Sequence, residues 1–270
     1  MDRYCVIGNP IAHSRSPDIH AAFAAQTGQQ LVYERCLAPL DGFAATVAIL
    51  VADGWRGANV TVPFKLDAAA LATTLTERAA AAGAVNTLAF RDGAIVGDNT
   101  DGAGLVNDIV RNAGSAIAGK RVLVLGAGGA ARGALLPLLD QQPRELVIAN
   151  RTLASAQDLA ARFAAPGRSL SASQYADLDG PFDLVVNATS ASLADAMPPV
   201  PDVVFAPNTL ALDMMYGNKP TLFMQAATRH GATARDGLGM LVEQAAEAFA
   251  LWRGVRPDTG PVLHHMRTTL

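Results

Sequence analysis

Cysteine is scarce in this 270-residue chain, with only Cys5 and Cys36. Neither has a C-x-x-C spacing or a histidine beside it, which excludes a disulfide framework and a thiolate metal site, so both read as small hydrophobes. Charge is thin as well, at 17% of residues with a net of -3, which leaves no basic field for nucleic acid or an anionic membrane. No uncharged apolar run approaches the ~18 residues of a membrane span. The opening MDRYCVIGNP has Asp2 and lacks the apolar core of a signal peptide. His13, His20 and His230 show no metal spacing and read as surface or core residues, with no metal expected. These absences point to a soluble, cytoplasmic protein whose partner is a small molecule.

What is present is a folding chain, half hydrophobic and of a length that suits about two domains. Short β-branched runs alternate with Ala/Leu-rich stretches, the rhythm of βαβ units and an α/β fold. Tyr4 to Gly8 reads as a strand, and SPDIHAAFAAQTG as a helix with Ser16 as N-cap, Pro17 at N1 and Gly28 as stop. A helix over about Leu40 to Asp53 leads into NVTVPFK, whose alternation predicts a half-buried strand with Val60, Val62 and Phe64 inward and Asn59, Thr61 and Lys65 on a polar face. After a helix around Thr76 to Ala82, AVNTLAF and AIVGD flank Arg91-Asp92-Gly93, a hairpin turn signal. Further strands at 121–125, 145–150, 183–187, 210–214 and 232–235, with crossovers between them, predict a doubly wound parallel sheet. Joints near Asp101 and Asp236 divide the chain into residues 1–101, residues 102–236, and a C-terminal helix segment 237–270 that docks on the first part.

Within RVLVLGAGGAARGALLPLL, Gly126, Gly128 and Ala131 have the G-x-G-x-x-A spacing between a strand and a helix. The first glycine permits a tight turn, the second a close approach of pyrophosphate, and the small third residue close helix packing. About 20 residues on, where an NAD site carries an acid for the ribose hydroxyls, the chain has Asn150-Arg151-Thr152. Amide, guanidinium and hydroxyl remove the repulsion against a 2′-phosphate and supply a fork to grip it, which favours NADP. The bland alternative is a tight turn followed by a solvated arginine.

Lys65 follows Pro63 at a helix start, where the macrodipole disfavours a cation. Such a conflict marks either a functional lysine or an ordinary surface one. In GDNTDG, Asp101 similarly reads as a site carboxylate or as the N-cap of a helix beginning at Gly102.

The segments GNPIAHSRSPDIHAAF, GANVTVPFK, ERAAAAGAVNTL, GDNTDGAGL, LGAGGAARG, NRT and DGLGMLVEQAAEAF resemble, in this order and nearly end to end, the shikimate dehydrogenase family. The resemblance implies an α/β substrate domain, completed by a C-terminal helix, and a Rossmann NADP domain facing it across a cleft. It also implies reversible hydride transfer between NADPH and 3-dehydroshikimate. Ser14 and Ser16 match the serines for the substrate carboxylate. Thr61, Lys65, Asn86 and Asp101 match the groups around the ring hydroxyls and the reacting carbon, with Lys65 and Asp101 as the catalytic pair. Tyr216 and Gln244 match further substrate contacts. On the cofactor side the match covers Gly126, Ala127, Gly128, Gly129 and Ala130, then Asn150, Arg151 and Thr152, with Met214, Gly237 and Met240 at the nicotinamide edge. A monomer or homodimer is expected.

Two departures stand out. Where the family often has a basic residue after NRT, this chain has Ser155, and where a glycine usually follows NATS, it has Ser190-Ala191-Ser192-Leu193. Three rival readings are a quinate/shikimate dehydrogenase using NAD, a non-catalytic NADP-binding regulator, and a methylenetetrahydrofolate-type dehydrogenase. NRT without an acid speaks against the first, Lys65 and Asp101 together against the second, and HSRSP with DNTDG against the third.

Overall fold

A computed structural model describes residues 1–270, the side chain of Leu193 excepted. The chain divides into two compact units, Met1–Gly104 with Leu241–Thr269, and Leu105–Met240 with Leu270.

In the first unit the elements run β1 (Asp2–Gly8), α1 (Ser16–Thr27), β2 (Leu31–Leu37), α2 (Phe43–Ala52), β3 (Gly57–Val60), α3 (Lys65–Leu71), β4 (Thr74–Leu75), α4 (Glu77–Ala82), β5 (Thr87–Arg91), β6 (Ala94–Asp98) and α5 (Asp101–Asn107). The strands form a six-stranded mixed sheet in the order β2-β1-β3-β5-β6-β4. β1 pairs parallel with β2 and β3, whereas β5 is antiparallel to both β3 and β6. Arg91 pairs with Ala94 across Asp92 (φ 49°) and Gly93 (φ 78°), the two left-handed residues of a type I′ hairpin that the Asp-Gly signal predicts. One core lies under this sheet, built on Cys5, Ile7, Phe43, Val47, Trp55, Val60, Phe64 and Leu88.

The NVTVPFK strand is corrected by the structure. β3 ends at Val60 and all four of its residues are buried, because it runs between β1 and β5 with both faces covered. Asn59 therefore lies inside, Val62 is 67% exposed, and Phe64 packs into the core from the turn before α3. The alternation did not come from a pleat.

The second unit takes in the end of α5 from Leu105 and a π-helical turn, Asp108–Asn112, and continues β7 (Arg121–Leu125), α6 (Gly129–Leu139), β8 (Glu145–Ala149), α7 (Leu153–Phe163), β9 (Leu170–Ser173), β10 (Leu184–Asn187), β11 (Leu210–Asp213), α8 (Leu222–Arg229) and β12 (Thr233–Arg235). Its sheet is parallel throughout, in the order β12-β11-β10-β7-β8-β9. That order reverses between β7 and β10, the switch point where doubly wound folds bind dinucleotides. Helix α9 (Leu238–Arg253) then begins, and α10 (Thr259–Thr268) follows it. From Leu241 onward the chain packs with the first unit: Trp252 stacks on Tyr4 at 4.6 Å and donates to the Leu88 carbonyl at 3.0 Å.

Candidate active site

In the first unit, polar side chains come from the starts of α1, α3 and α5, from β2, β3 and the start of β5, and from α9. α1 starts one residue earlier than its sequence suggests: Arg15 is the N-cap and Ser16 the first helical residue. The Ser14 hydroxyl accepts the Ser16 N–H at 3.3 Å, so Ser14 satisfies a first-turn donor and leaves the buried Ser16 hydroxyl free of that duty. Arg35 of β2 donates twice to the Ser14 carbonyl, at 3.0 and 2.6 Å. Both serines thus sit at a helix N-terminus, where an anion is favoured.

Asp101 is likewise the first residue of its helix and not the cap, since the Thr100 carbonyl accepts the Gly104 N–H at 2.9 Å. Its carboxylate is used elsewhere. One oxygen accepts from the Lys65 ammonium at 2.6 Å and the other from the Asn86 amide at 2.8 Å. Lys65 opens α3, so the cation that the macrodipole disfavours is held there by a carboxylate from another helix start. Its side chain keeps 32% exposure and that of Asp101 16%, leaving the pair within reach of a ligand.

Behind this pair the donors run in one direction. Tyr33 O–H donates to Asn59 Oδ1 at 2.7 Å, Asn59 Nδ2 to Thr87 Oγ1 at 3.0 Å, and Thr87 O–H to Asn86 Oδ1 at 2.9 Å. Asn86 Nδ2 then donates to Asp101, and also to Gln244 Oε1 on α9 at 3.2 Å. A chain of this kind polarises cooperatively and fixes each member's orientation. Thr61 lies in the turn after β3, with its N–H on the Ile7 carbonyl at 2.9 Å and its methyl against Gly8, where a Cβ would come within 2.6 Å. His20 is a core residue: it stacks on Tyr33 at 4.2 Å, and burial pushes it down to about 3. Cys5 and Cys36 are free thiols on the paired strands β1 and β2, packed into one core.

In the second unit, Gly126 (φ 101°) turns the chain off β7, and its missing side chain makes room for Thr189, whose methyl would lie 3.1 Å from a Cβ. Gly128 is the N-cap of α6, and a Cβ on Gly128 or Gly129 would meet nothing within 4 Å. The space they leave belongs to a cavity of about 700 Å³, walled by the 126–130 loop, Asn150, Arg151, Tyr175, Thr189 to Ala191, Met197 and Met215 among others. Ala131, fully buried, lets α6 close on the sheet. Asn150 donates to the Thr152 carbonyl at 3.0 Å, which shapes the turn carrying Arg151. Open glycines at a helix N-terminus with a guanidinium at the next strand's end suit a dinucleotide bearing an extra phosphate.

Residues 6–88 match the family model of the shikimate dehydrogenase substrate binding domain, residues 108–194 that of shikimate / quinate 5-dehydrogenase, and residues 237–267 that of the shikimate 5'-dehydrogenase C-terminal domain. The shikimate dehydrogenase (NADP(+)) of Herminiimonas arsenicoxydans is 67% identical over 100% of this chain and 98% of its own. The chain belongs to the shikimate dehydrogenase family. Among solved structures, an enzyme from Pseudomonas putida has a TM-score of 0.95 at 50% identity, over 98% of both chains. Shikimate 5-dehydrogenase of Thermus thermophilus, in complex with NADP(H) and shikimate, has a TM-score of 0.89 at 33% identity, over 100% of both.

Four further residues matched to the family by sequence are not among the walls of the second unit's cavity. Met214, Tyr216, Gly237 and Met240 all belong to the second unit, and the 700 Å³ cavity is not walled by them. Gly237 packs so tightly on the Met214 backbone that no Cβ would fit, and its N–H bonds the Met215 carbonyl at 2.9 Å. Thr152 is the N-cap of α7 without a side-chain cap bond.

The loop that lacks the family's glycine after NATS is held by side chains instead. Ser192 and Thr221 both donate to Asp213 Oδ2 at 2.7 Å, Met215 N–H donates to Oδ1 at 3.0 Å, and Thr189 O–H donates to Asn187 Oδ1 at 2.7 Å. Asp195 adopts left-handed geometry (φ 47°). Sequence reasoning missed Tyr175, Met197 and Met215 as cavity walls. The available signal was topological: they follow the C-terminal ends of β9, β10 and β11, the edge where ligands of such sheets bind.

Proposed function

We propose that this chain catalyses the reversible NADPH-dependent reduction of 3-dehydroshikimate to shikimate, in the pathway to aromatic amino acids. The observation that carries the reading is the Lys65–Asp101 ion pair at 2.6 Å, oriented by Asn86 and presented in the same unit as Ser14 and Ser16. Residues 1–101 with the C-terminal segment 237–270 would form the substrate domain and 102–236 the NADP domain.

Ser14 and Ser16, at the start of α1, bind the substrate carboxylate by their hydroxyls and the helix N-terminus. Thr61, Asn86, Asp101 and Gln244 orient the ring hydroxyls, with Tyr216 as a further contact. The Lys65 ammonium donates a hydrogen bond to the ketone oxygen, stabilises the charge that develops there, and is placed to pass a proton to it. Asp101 holds Lys65 and a substrate hydroxyl in register, so the two act as one acid–base unit. Bound NADPH supplies the hydride. The 126–130 loop would hold its pyrophosphate, Asn150, Arg151 and Thr152 its 2′-phosphate end, and Met214, Gly237 and Met240 its nicotinamide end. The enzyme would work in the cytoplasm as a monomer or homodimer.

The test is initial-rate absorbance at 340 nm with shikimate or quinate, each against NADP⁺ and NAD⁺. Strong turnover with shikimate and NADP⁺ alone is expected. A preference for quinate with NAD⁺ would overturn the substrate and ribose-pocket assignments, and no turnover in any pairing would leave a non-catalytic binder.

A further inference from the structure

Tyr175 opens a short 3-10 turn, Tyr175–Asp177, directly after β9. The Asn150 N–H donates to the Ser173 carbonyl at 3.2 Å, which ties the end of β9 to the turn carrying Arg151. The Tyr175 ring is 8% exposed and packs into the core with Leu123, Leu125, Val147 and Ala149. It nevertheless forms part of the cavity wall beside Asn150 and Arg151. Among the described residues, its hydroxyl makes no hydrogen bond within the protein, and it is not one of the solvent-excluded polar atoms, so it remains accessible. The first turn of α7 carries no cation, its basic residue being Arg162 in the last turn, so Arg151 is without cationic help from the helix that follows it.

We infer that the Tyr175 hydroxyl is a second donor to the cofactor's 2′-phosphate, working with Arg151 to select NADP over NAD. The inference rests on the NADP reading above. A ring anchored in the core holds the hydroxyl at little entropic cost, unlike the long side chain of a surface lysine. Burial pushes the phenol above its ordinary value, opposed by the Arg151 charge, so the group is protonated near neutral pH and able to donate.

Tyr175→Phe keeps the ring and removes the donor. Calorimetric titration of the full chain with adenosine 2′,5′-bisphosphate and with adenosine 5′-monophosphate separates the phosphate contact from the adenosine contact. Loss of one hydrogen bond to a charged group predicts about tenfold or more weaker binding of the bisphosphate, with the monophosphate changed by less than about twofold. KM for NADP⁺ should rise in parallel and KM for NAD⁺ should not. Equal weakening of both nucleotides, or of neither, with an unchanged unfolding midpoint, would overturn the assignment. Failure of the NADP reading itself shows separately, in the wild-type chain, as no preference for the bisphosphate over the monophosphate.

Discussion

The candidate sites of the two units are built in opposite ways. In the first, the groups assigned to substrate already satisfy one another: Lys65 with Asp101, and Asn86 with Asp101, Thr87 and Gln244. In the second, the loop proposed for the cofactor is defined by what is missing, namely Cβ atoms at Gly128 and Gly129 that would meet nothing within 4 Å. A paired polar cluster is preorganised and stiff, and changing one member disturbs its neighbours. An open glycine cradle has little to disturb. Substitutions should therefore couple chemistry to stability in the first unit and leave affinity separable from stability in the second.

The largest effect belongs to Lys65. Lys65→Met should lower kcat by about 10²–10⁴, the scale of a general acid–base group, with a smaller change in the KM for shikimate. Initial rates at 340 nm measure both, and near-normal turnover would remove Lys65 from the chemistry. Asn86→Ala tests whether the cluster is as interdependent as its bonds suggest. Asn86 is 3% exposed, and its removal strands the Thr100 N–H, which donates to Oδ1 at 2.8 Å. A cost of about 1–3 kcal/mol is expected from a buried group left unsatisfied, read by urea unfolding, together with a fall in kcat. Loss of activity at full stability would show that Asn86 is not part of the frame.

Gly128→Val is the converse experiment. A Cβ at this position meets nothing within 4 Å in the free protein, so the unfolding midpoint should shift little. Affinity for NADP⁺ should drop on the order of tenfold or more, because the backbone can no longer approach the phosphates. Gly126→Val is the control: at φ 101° with Thr189 beside it, it should destabilise the fold itself. If Gly128→Val unfolds the chain as readily, the contrast between the units fails.

The same contrast explains what could be read from sequence. The proposed cofactor cradle occupies one contiguous stretch, with strand, glycines and helix in order, so Gly126 to Ala131 could be proposed from spacing alone, with the Asn150-Arg151-Thr152 turn about 20 residues on. The proposed substrate cluster draws on residues 14, 61, 65, 86, 101 and 244, and no local pattern joins them; only the resemblance to a family did. Local reasoning misled where burial overrides the pleat. Asn59 was read onto the open polar face of a half-buried strand but is interior, tied to Tyr33 and Thr87, because β3 is a central strand. β2 escaped notice since it lies at the sheet edge with Glu34 and Arg35 exposed. Tyr175 could not be placed before the order β7-β8-β9 set it beside Arg151.

The smallest effect concerns the other acid of GDNTDG and asks whether the pairing of polar groups in the first unit extends beyond the site. Asp98, 2% exposed, accepts from Arg78 through both oxygens at 2.7 and 2.6 Å, from the Thr76 hydroxyl at 2.6 Å and from the Asn99 N–H at 2.8 Å. Burial acts to raise its carboxyl, but Arg78 with the other donors prevails and holds it below the usual carboxylate range. A group that binds its proton less tightly when folded stabilises the fold fully above its unfolded value, near about 4, and loses that contribution as pH falls through the lower folded value. Asp98→Asn should therefore be less stable than wild type at pH 7, with the gap narrowing progressively below about pH 4, as urea unfolding at pH 7, 4 and 3 would read. Because Asp98 touches Arg78 and not Lys65, the variant's kcat should stay far closer to wild type than that of Lys65→Met. A gap that is constant with pH would mean that the Asp98 charge contributes nothing and that only its shape matters.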